Sequence, residues 1–384
     1  MIWSSLTWTA LAAFCVGVSS RKITPYTDGY INYTTVPGYF LQDDPTTNAS
    51  TFNYTLTNFG LINRTYETTN NLAESLTQWQ QFKQHVEAMN AAAPPNTVYK
   101  VLFMGRHGEG YHNVAESAFG TPAWNCYYAQ LPGNGTLFWE DAQLTHTGIF
   151  QAEIAHNFWK NRIRIEKIPF PRSFYTSPLQ RCLATANITF GDLSDLLSLD
   201  SPSSSSSSSS VFQPTIKDLL REKISIHTCD HRNSTATSLL QIYPHFLLEP
   251  GFSEFDHLWN GLTAESDTAH SIRMQNFLDD IFSHDEHTWI SLTSHSGTIA
   301  AILRVIGHQG FRLATGGVLP VLVRGEFLPS SSSSCIEDGA TSVTTMMTTM
   351  TSMVESSYYT TSTWCHNGPP VCYEAIREQH VTST

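Results

Sequence analysis

A chain of 384 residues has room for two domains, or for one large domain with extensions, and its 41% apolar residues supply ample material for a core. The formal charge of −12 argues against nucleic acid and against an anionic membrane surface as partners. A protein this negative can hold an anionic ligand only by concentrating a few cations in one place.

In chain order, residues 1–20 read as a secretory signal peptide. The apolar run from Leu6 to Val18 is too short to span a bilayer comfortably, and Val18 and Ser20 are small residues suited to cleavage before Arg21. No positive charge near Met1 supports it, and no stable membrane insertion is expected. Asn32, Asn48, Asn53, Asn63, Asn134, Asn187 and Asn233 each open an Asn-x-Ser/Thr triplet. N-linked glycans at some of them, and a secreted or vacuolar location, are expected; the alternative is a cytoplasmic chain. Cys126, Cys182, Cys229, Cys335, Cys365 and Cys372 would remain after cleavage. That even number permits disulfides of undetermined pairing, and no CxxC pattern points to a metal.

Residues 21–70 are rich in Thr, Asn and Tyr and read as a glycosylated lead-in packed around the domain. From Asn71, Leu72, Leu76, Trp79, Phe82, Val86 and Met89 recur at helical spacing, and Pro94-Pro95 ends the pattern. This predicts one amphipathic helix in an N-terminal extension over 21–97. Val98 to Phe103 is a buried strand that stops at Gly105 and delivers Arg106-His107-Gly108 to its carboxyl edge, with Asn113 nearby. Open α/β sheets bind ligands at that edge. Between Ser117 and Gln143 an aromatic connection carries Trp124, Tyr127, Tyr128, Phe138 and Trp139, read as packing beside the site. A helix with Thr145 or Thr147 as cap runs to about Arg162, and Ser173–Thr176 is a second strand. Ser177-Pro178 reads as the cap and first residue of another helix. Eight serines, Ser203 to Ser210, mark an insertion over 194–211 that cannot bury apolar surface. Met274, Phe277, Leu278, Ile281 and Phe282 give a further helical face, and His284 to His287 a solvated turn. Trp289–Thr293 is a strand leading to His295, followed by an apolar helix over Thr298–Ile306 and a last strand over Val318–Val323. The alternation predicts an α/β fold, a mostly parallel central sheet with helices on both faces. Residues 328–384 read as a low-complexity Ser/Thr-rich tail in which Cys365 and Cys372 could close a small loop.

Four stretches in this order resemble the histidine phosphatase superfamily, the phosphoglycerate-mutase-like fold. They are Arg106-His107-Gly108 with Asn113; Ser177-Pro178-Leu179-Gln180-Arg181 followed by Ala184-Thr185-Ala186; Leu220-Arg221-Glu222; and Ser294-His295-Ser296-Gly297. RHGEGYHN and Cys229-Asp230-His231-Arg232 make the resemblance strongest to fungal phosphoglycerate-mutase-like proteins. It covers residues 98–327.

The resemblance implies a small phosphorylated substrate and a phosphohistidine mechanism without a metal or other cofactor. Phosphate monoesters repel nucleophiles, so neutralisation comes first, and Arg106 and Arg181 offer the planar forks that match phosphate oxygens. His295 and Asn113 would complete the cradle. His107 would attack phosphorus, and Glu222 would protonate the departing alkoxide and then activate water. Glu109 and Asp230 are the alternative acids. His227 and Arg232 are candidate substrate contacts. His227, Cys229, Asp230 and His231 look like metal ligands, but on an extended stretch they would point in opposite directions. Two other readings use the same fold: phosphoglycerate-mutase-type phosphoryl transfer, and a non-catalytic secreted glycoprotein.

Overall fold

The computed structural model describes residues 22–23, 29–69, 75–193 and 212–329, together with the backbone of 358–360. The expected signal peptide, the serine tract, most of the tail and Cys335, Cys365 and Cys372 lie outside the described residues. The strands are β1 (Gly29–Thr35), β2 (Thr97–Arg106), β3 (Ser173–Thr176), β4 (Thr215–Ile216), β5 (Leu247–Leu248), β6 (Thr263–Glu265), β7 (Trp289–Ser294), β8 (Val318–Pro329) and β9 (Tyr358–Thr360). The α-helices are α1 (Gln78–Ala92), α2 (Tyr111–Phe119), α3 (Thr121–Cys126), α4 (His146–Ile165), α5 (Gln180–Phe190), α6 (Ala236–Ile242), α7 (Asp267–His284) and α8 (Ser296–Val305).

Strand β2 shows why this is a sheet covered on both sides. Val101 and Phe103 pack with Trp79 and Phe82 of α1 and Trp159 of α4. The alternate residues Leu102 and Met104 pack with Phe277 of α7 and Ile302 of α8. Period-two geometry sends successive side chains to opposite faces, so a strand covered on both sides needs an unbroken apolar run. The sheet order is β1-β8-β2-β7-β3-β4-β5. Four pairings are parallel (β2 with β7, β7 with β3, β3 with β4, β4 with β5), and β8 runs antiparallel to both β1 and β2. The parallel strands β2, β7 and β3 therefore end at one edge and bring Arg106, His295 and Ser177 together.

Several expectations are corrected. Helix α1 starts at Gln78, because Thr77 accepts the Gln80 N–H and Gln80 reaches back to the Thr77 N–H, closing a capping box. Leu76 therefore precedes the helix, and Leu72 is outside the described residues. The lead-in does more than wrap the domain: Gly29–Thr35 pairs with β8 in the sheet itself. Ser177 is not a helix cap, since α5 begins at Gln180 with Leu179 at the cap position. The His284–His287 turn is not simply solvated. The fully buried Lys100 ammonium donates to the carbonyls of Asp285 and His287, at 2.6 and 2.7 Å, and Tyr175 donates to the Asp285 carboxylate. Within the expected tail, residues 358–360 pair antiparallel with β6. Cys182 and Cys229 are buried free thiols, and Cys126 is disulfide-bonded. Trp124 and Trp139 are buried edge-to-face at 5.5 Å, as expected for packing, whereas Tyr127 and Phe138 of the same connection are exposed.

Candidate active site

His107 leaves the end of β2 with its backbone fixed on both sides: its N–H donates to the Ser294 carbonyl, and its own carbonyl accepts the Gly316 N–H. The side chain is 1% exposed. Its Nδ1 lies 2.7 Å from the Gly108 carbonyl. A carbonyl can only accept, so Nδ1 carries the proton and Nε2 keeps the lone pair. Burial first, then the charges of Arg181 and Arg106, hold this imidazole well below its ordinary pKa. It is a neutral, oriented imidazole with the chemistry a nucleophile needs. The loop around it leaves no room for a side chain: a Cβ on Gly108 would meet the Gly148 carbonyl oxygen at 2.3 Å, so α4 and the loop touch backbone to backbone.

Two arginines act on this ring through their charge. Arg106 anchors one Nη on the Leu313 carbonyl at 2.8 Å, and Arg181 anchors one on the Cys229 carbonyl at 2.8 Å. Their Nε atoms are buried with no partner among the described residues. Such donors are costly unless a ligand oxygen satisfies them, and phosphoryl oxygens would. Arg181 is the second residue of α5, where the helix dipole adds to its charge. Thr185, one turn on, donates to the Arg181 carbonyl and accepts the Gly108 N–H, coupling the two halves of the cradle.

His295 ends β7 with its ring 5.0 Å from that of His107, and its Nε2 is 2.8 Å from the Ser177 hydroxyl. Burial, then Arg181, lowers its pKa well below the ordinary value. Glu222 is brought to the same place by the segment after β4. Its carboxyl accepts N–H bonds from Gly297 and Thr298 in the first turn of α8 and from Lys223. A Cβ on Gly297 would lie 2.4 Å from Glu222 Oε1, so only glycine permits this approach. Burial first, then the neighbouring Asp230 charge, raise the Glu222 pKa against those N–H groups. That is the direction a general acid requires.

The other candidates are placed differently. Asn113 folds its carbonyl oxygen back onto the Gly110 N–H at 3.0 Å, capping α2. His227 meets Trp124 edge-on at 6.1 Å. Arg232 is largely committed within the protein: its Nη groups bond the carbonyls of Ser234, Ser253 and Glu254 and its guanidinium lies over Phe252, although its Nε, too, is buried without a partner among the described residues. It holds the 232–254 loop together. Glu109 accepts the Thr145 hydroxyl. Thr228–Asp230 is a 3-10 turn rather than extended chain, so the side chains of this stretch do not point apart as expected. His227, Cys229 and Asp230 bring ligand atoms within 4.8 Å of one another. Asp230, however, already faces Arg181 at 3.9 Å and accepts the Ser225 hydroxyl.

Sequence reasoning missed three site residues. His112 is half-buried with its ring 5.4 Å from that of His107, and its buried Nδ1 is unpartnered among the described residues. It stood in the RHGEGYHN stretch. Asp141 is buried and accepts the N–H groups of Gln180 and Asn233, fixing the start of α5 just before Arg181. Asp256, 35 residues from Arg221, grips its guanidinium through both carboxylate oxygens, and both side chains are 0% exposed. No local pattern signals that contact. Asp256→Ala would leave the Arg221 charge buried and unpaired, and should cost about 3–5 kcal/mol in denaturant unfolding. Burial alone would raise the Asp256 pKa, but Arg221 outweighs it and holds the value at about 2. The folded value lies below the unfolded one, so the pair's contribution is complete above about pH 4 and is lost as pH falls toward 2. A stability–pH curve that is flat over that window in wild type but not in Asp256→Asn would contradict this.

The geometry assembles a neutral, oriented histidine, two arginines, a second histidine and a carboxyl of raised pKa at one sheet edge. The sequence model of the Histidine phosphatase superfamily (branch 1) matches residues 131–200, a stretch that holds Arg181 but neither His107 nor His295. A Probable phosphoglycerate mutase of Arthroderma benhamiae is 46% identical over 298 residues, covering 77% of this chain and 85% of the relative. Phosphomutase-like protein 3 of Candida albicans is 34% identical over 292 residues, covering 76% and 79%. Among solved structures, a phosphoglycerate mutase from Thermus thermophilus aligns with 58% of this chain and 97% of its own, at 19% identity and a TM-score of 0.32, an overlap too slight to carry an argument. The chain belongs to the histidine phosphatase superfamily.

Proposed function

We propose that the protein is a phosphomonoester hydrolase working through a phosphohistidine on His107. The observation that carries this reading is the Nδ1–H···O=C bond to Gly108, which leaves Nε2 as the free lone pair beside two arginines with unpartnered Nε–H donors. In the first step Nε2 attacks phosphorus, the P–O bond to the leaving group breaks, and the Glu222 carboxyl supplies its proton. In the second step Glu222 as carboxylate takes a proton from water, which displaces phosphate from Nε2 and restores the imidazole. The arginines stabilise the charge that spreads over the phosphoryl oxygens in both steps. Transfer to a second hydroxyl instead of water is the other reading, favoured by the names the relatives carry. Incubation with [32P]-labelled substrate decides between them. The hydrolase reading expects label in an acid-labile, base-stable phosphoenzyme and then in inorganic phosphate. Label returning mainly to a phosphorylated isomer would make the protein a mutase.

A secretory location is part of the proposal. Asn32, Asn48, Asn53, Asn63, Asn134 and Asn233 are exposed, whereas Asn187 is half-buried within α5. No helix among the described residues is long and apolar enough to cross a membrane. Expressed in a fungal host, the protein should begin near Arg21 and carry endoglycosidase-sensitive glycans at some of the six exposed sites, with Asn187 bare. An unglycosylated cytosolic chain retaining Met1 would overturn this part and strengthen the mutase reading.

A further inference from the structure

The turn that seats Arg181 also gathers three metal-binding groups. Thr228–Asp230 is a 3-10 turn, and its Cys229 carbonyl accepts from Arg181 Nη1 at 2.8 Å. His227, Cys229 and Asp230 each bring a ligand atom within 4.8 Å of the others, and Cys229 Sγ is 3.7 Å from Asp230 Oδ1. A tetrahedral zinc with bonds of about 2.0–2.3 Å spaces its ligands about 3.5 Å apart, so small side-chain rotations complete the set. Thiolate, imidazole and carboxylate together favour zinc over magnesium or calcium, which take oxygen donors. The backbone beneath the cluster is fixed. Thr228 donates to the Leu131 carbonyl, Arg221 donates to the Asp230 carbonyl, and the Ser225 hydroxyl joins the His227 N–H to the Asp230 carboxylate. Two of the ligand groups are also poorly used. Neither ring nitrogen of His227 has a hydrogen-bond partner among the described residues. The free, buried thiol of Cys229 has its long contact to Asp230. His231, by contrast, is held by Glu140 and stacked on Trp259, and stays outside the set.

We propose that His227, Cys229 and Asp230 form an inhibitory zinc site. The Cys229 thiol gives its proton to solvent as sulfur bonds the metal. His227 binds as neutral imidazole and Asp230 through a carboxylate oxygen, with the fourth position left to water. In the structure Asp230 Oδ1 faces Arg181 Nη2 at 3.9 Å. Once it holds zinc, that carboxylate no longer balances the guanidinium, and a divalent charge stands beside Arg181 instead. Repulsion then draws Arg181 off the turn and out of the phosphoryl cradle. The same repulsion weakens zinc binding, so the site fills only as zinc rises and acts as a brake rather than a structural metal. Binding is independent of the hydrolase reading, whereas the brake rests on it.

The test uses the full chain after chelation. Cobalt, added as a coloured substitute for zinc, should give a thiolate-to-metal charge-transfer band that excess zinc removes, that magnesium and calcium do not, and that Cys229→Ser lacks. Zinc should also inhibit turnover of p-nitrophenyl phosphate. Cys229→Ser and His227→Gln should each raise the half-inhibiting zinc concentration at least about tenfold, since even an outer-shell change costs that much. Each variant is compared with itself with and without zinc, so its own basal rate cancels. Cys229→Ser is nearly isosteric and His227 is half-buried, so both variants should fold, and the wild-type cobalt spectrum needs neither. Absence of the band, or its persistence in Cys229→Ser, would overturn the site. Inhibition equally sensitive in both variants would place the inhibiting zinc elsewhere and overturn the brake. A band without inhibition would overturn the brake too. If wild type releases no phosphate even without zinc, the hydrolase reading fails and the brake with it, while the cobalt spectrum still decides the site.

Discussion

Replacing His107 by alanine should lower phosphate release by at least about 10³-fold, as expected for removal of a nucleophile, and should abolish the trapped phosphoenzyme. The fold should survive, because the ring contacts a carbonyl and two other histidines rather than the apolar core. The same residue fixes a pH dependence. An exposed histidine gains its proton near pH 6.5, but burial and then Arg181 and Arg106 hold His107 well below that value. The nucleophile therefore stays unprotonated on the acid side, and turnover of p-nitrophenyl phosphate should show no loss centred on pH 6.5. A single protonation there that removes activity would mean that the imidazole is not shielded as the geometry implies. Near-wild-type activity in His107→Ala would reject the mechanism outright.

Glu222→Gln should separate substrates by leaving group. An alkoxide must be protonated as it departs, whereas a nitrophenolate leaves unaided. The variant should therefore lose about 10²- to 10⁴-fold on alkyl phosphates and far less on p-nitrophenyl phosphate. Arg181→Ala should damage both alike, because it serves the phosphoryl group they share. The raised pKa of Glu222 adds a second expectation. With alkyl substrates the basic limb of the pH profile should lie above the ordinary range for a carboxyl, and Glu222→Gln should remove it. Equal losses on both substrates would show that another group is the acid. Asp230 would then be the first to test, since it lies close enough to Glu222 to shift its titration.

Much of this site was legible because Arg106, His107 and His295 sit at strand ends and Arg181 in the first turn of a helix, where a short motif fixes its own position, while Glu222 follows a 3-10 turn after β4. Arg106, His107, Arg181, Glu222 and His295 converge as their order along the chain suggested. What local pattern could not show was geometry set by distant partners. Arg232 was a candidate substrate contact for its nearness in sequence to Glu222, but carbonyls some twenty residues away hold its Nη groups. The His227–Asp230 stretch was read as extended and is a tight turn. Strand β1 was harder to see, since its Ile31-Asn32-Tyr33-Thr34 alternation is only four residues long and an edge strand with two buried side chains offers little more. The parallel core strands, by contrast, announce themselves through unbroken apolar runs.

The place of β8 in the sheet has a consequence for biosynthesis. Strand β2, which carries the nucleophile, is flanked by β7 and β8, and both are made long after it. Met104 pairs with Leu292 on one side and Leu319 on the other, so roughly 190 to 215 residues must emerge before β2 has both neighbours. Contacts of such separation close slowly, because the loop entropy must be overcome before any bond forms. Until then the growing chain displays an apolar strand with two open edges, a form prone to aggregation and in need of chaperone cover. The Gly316 tether on His107 arrives in the same late segment. A chain stalled or truncated before Val318 should consequently be insoluble as well as inactive, and a nascent chain would acquire its chemistry only near the end of its synthesis.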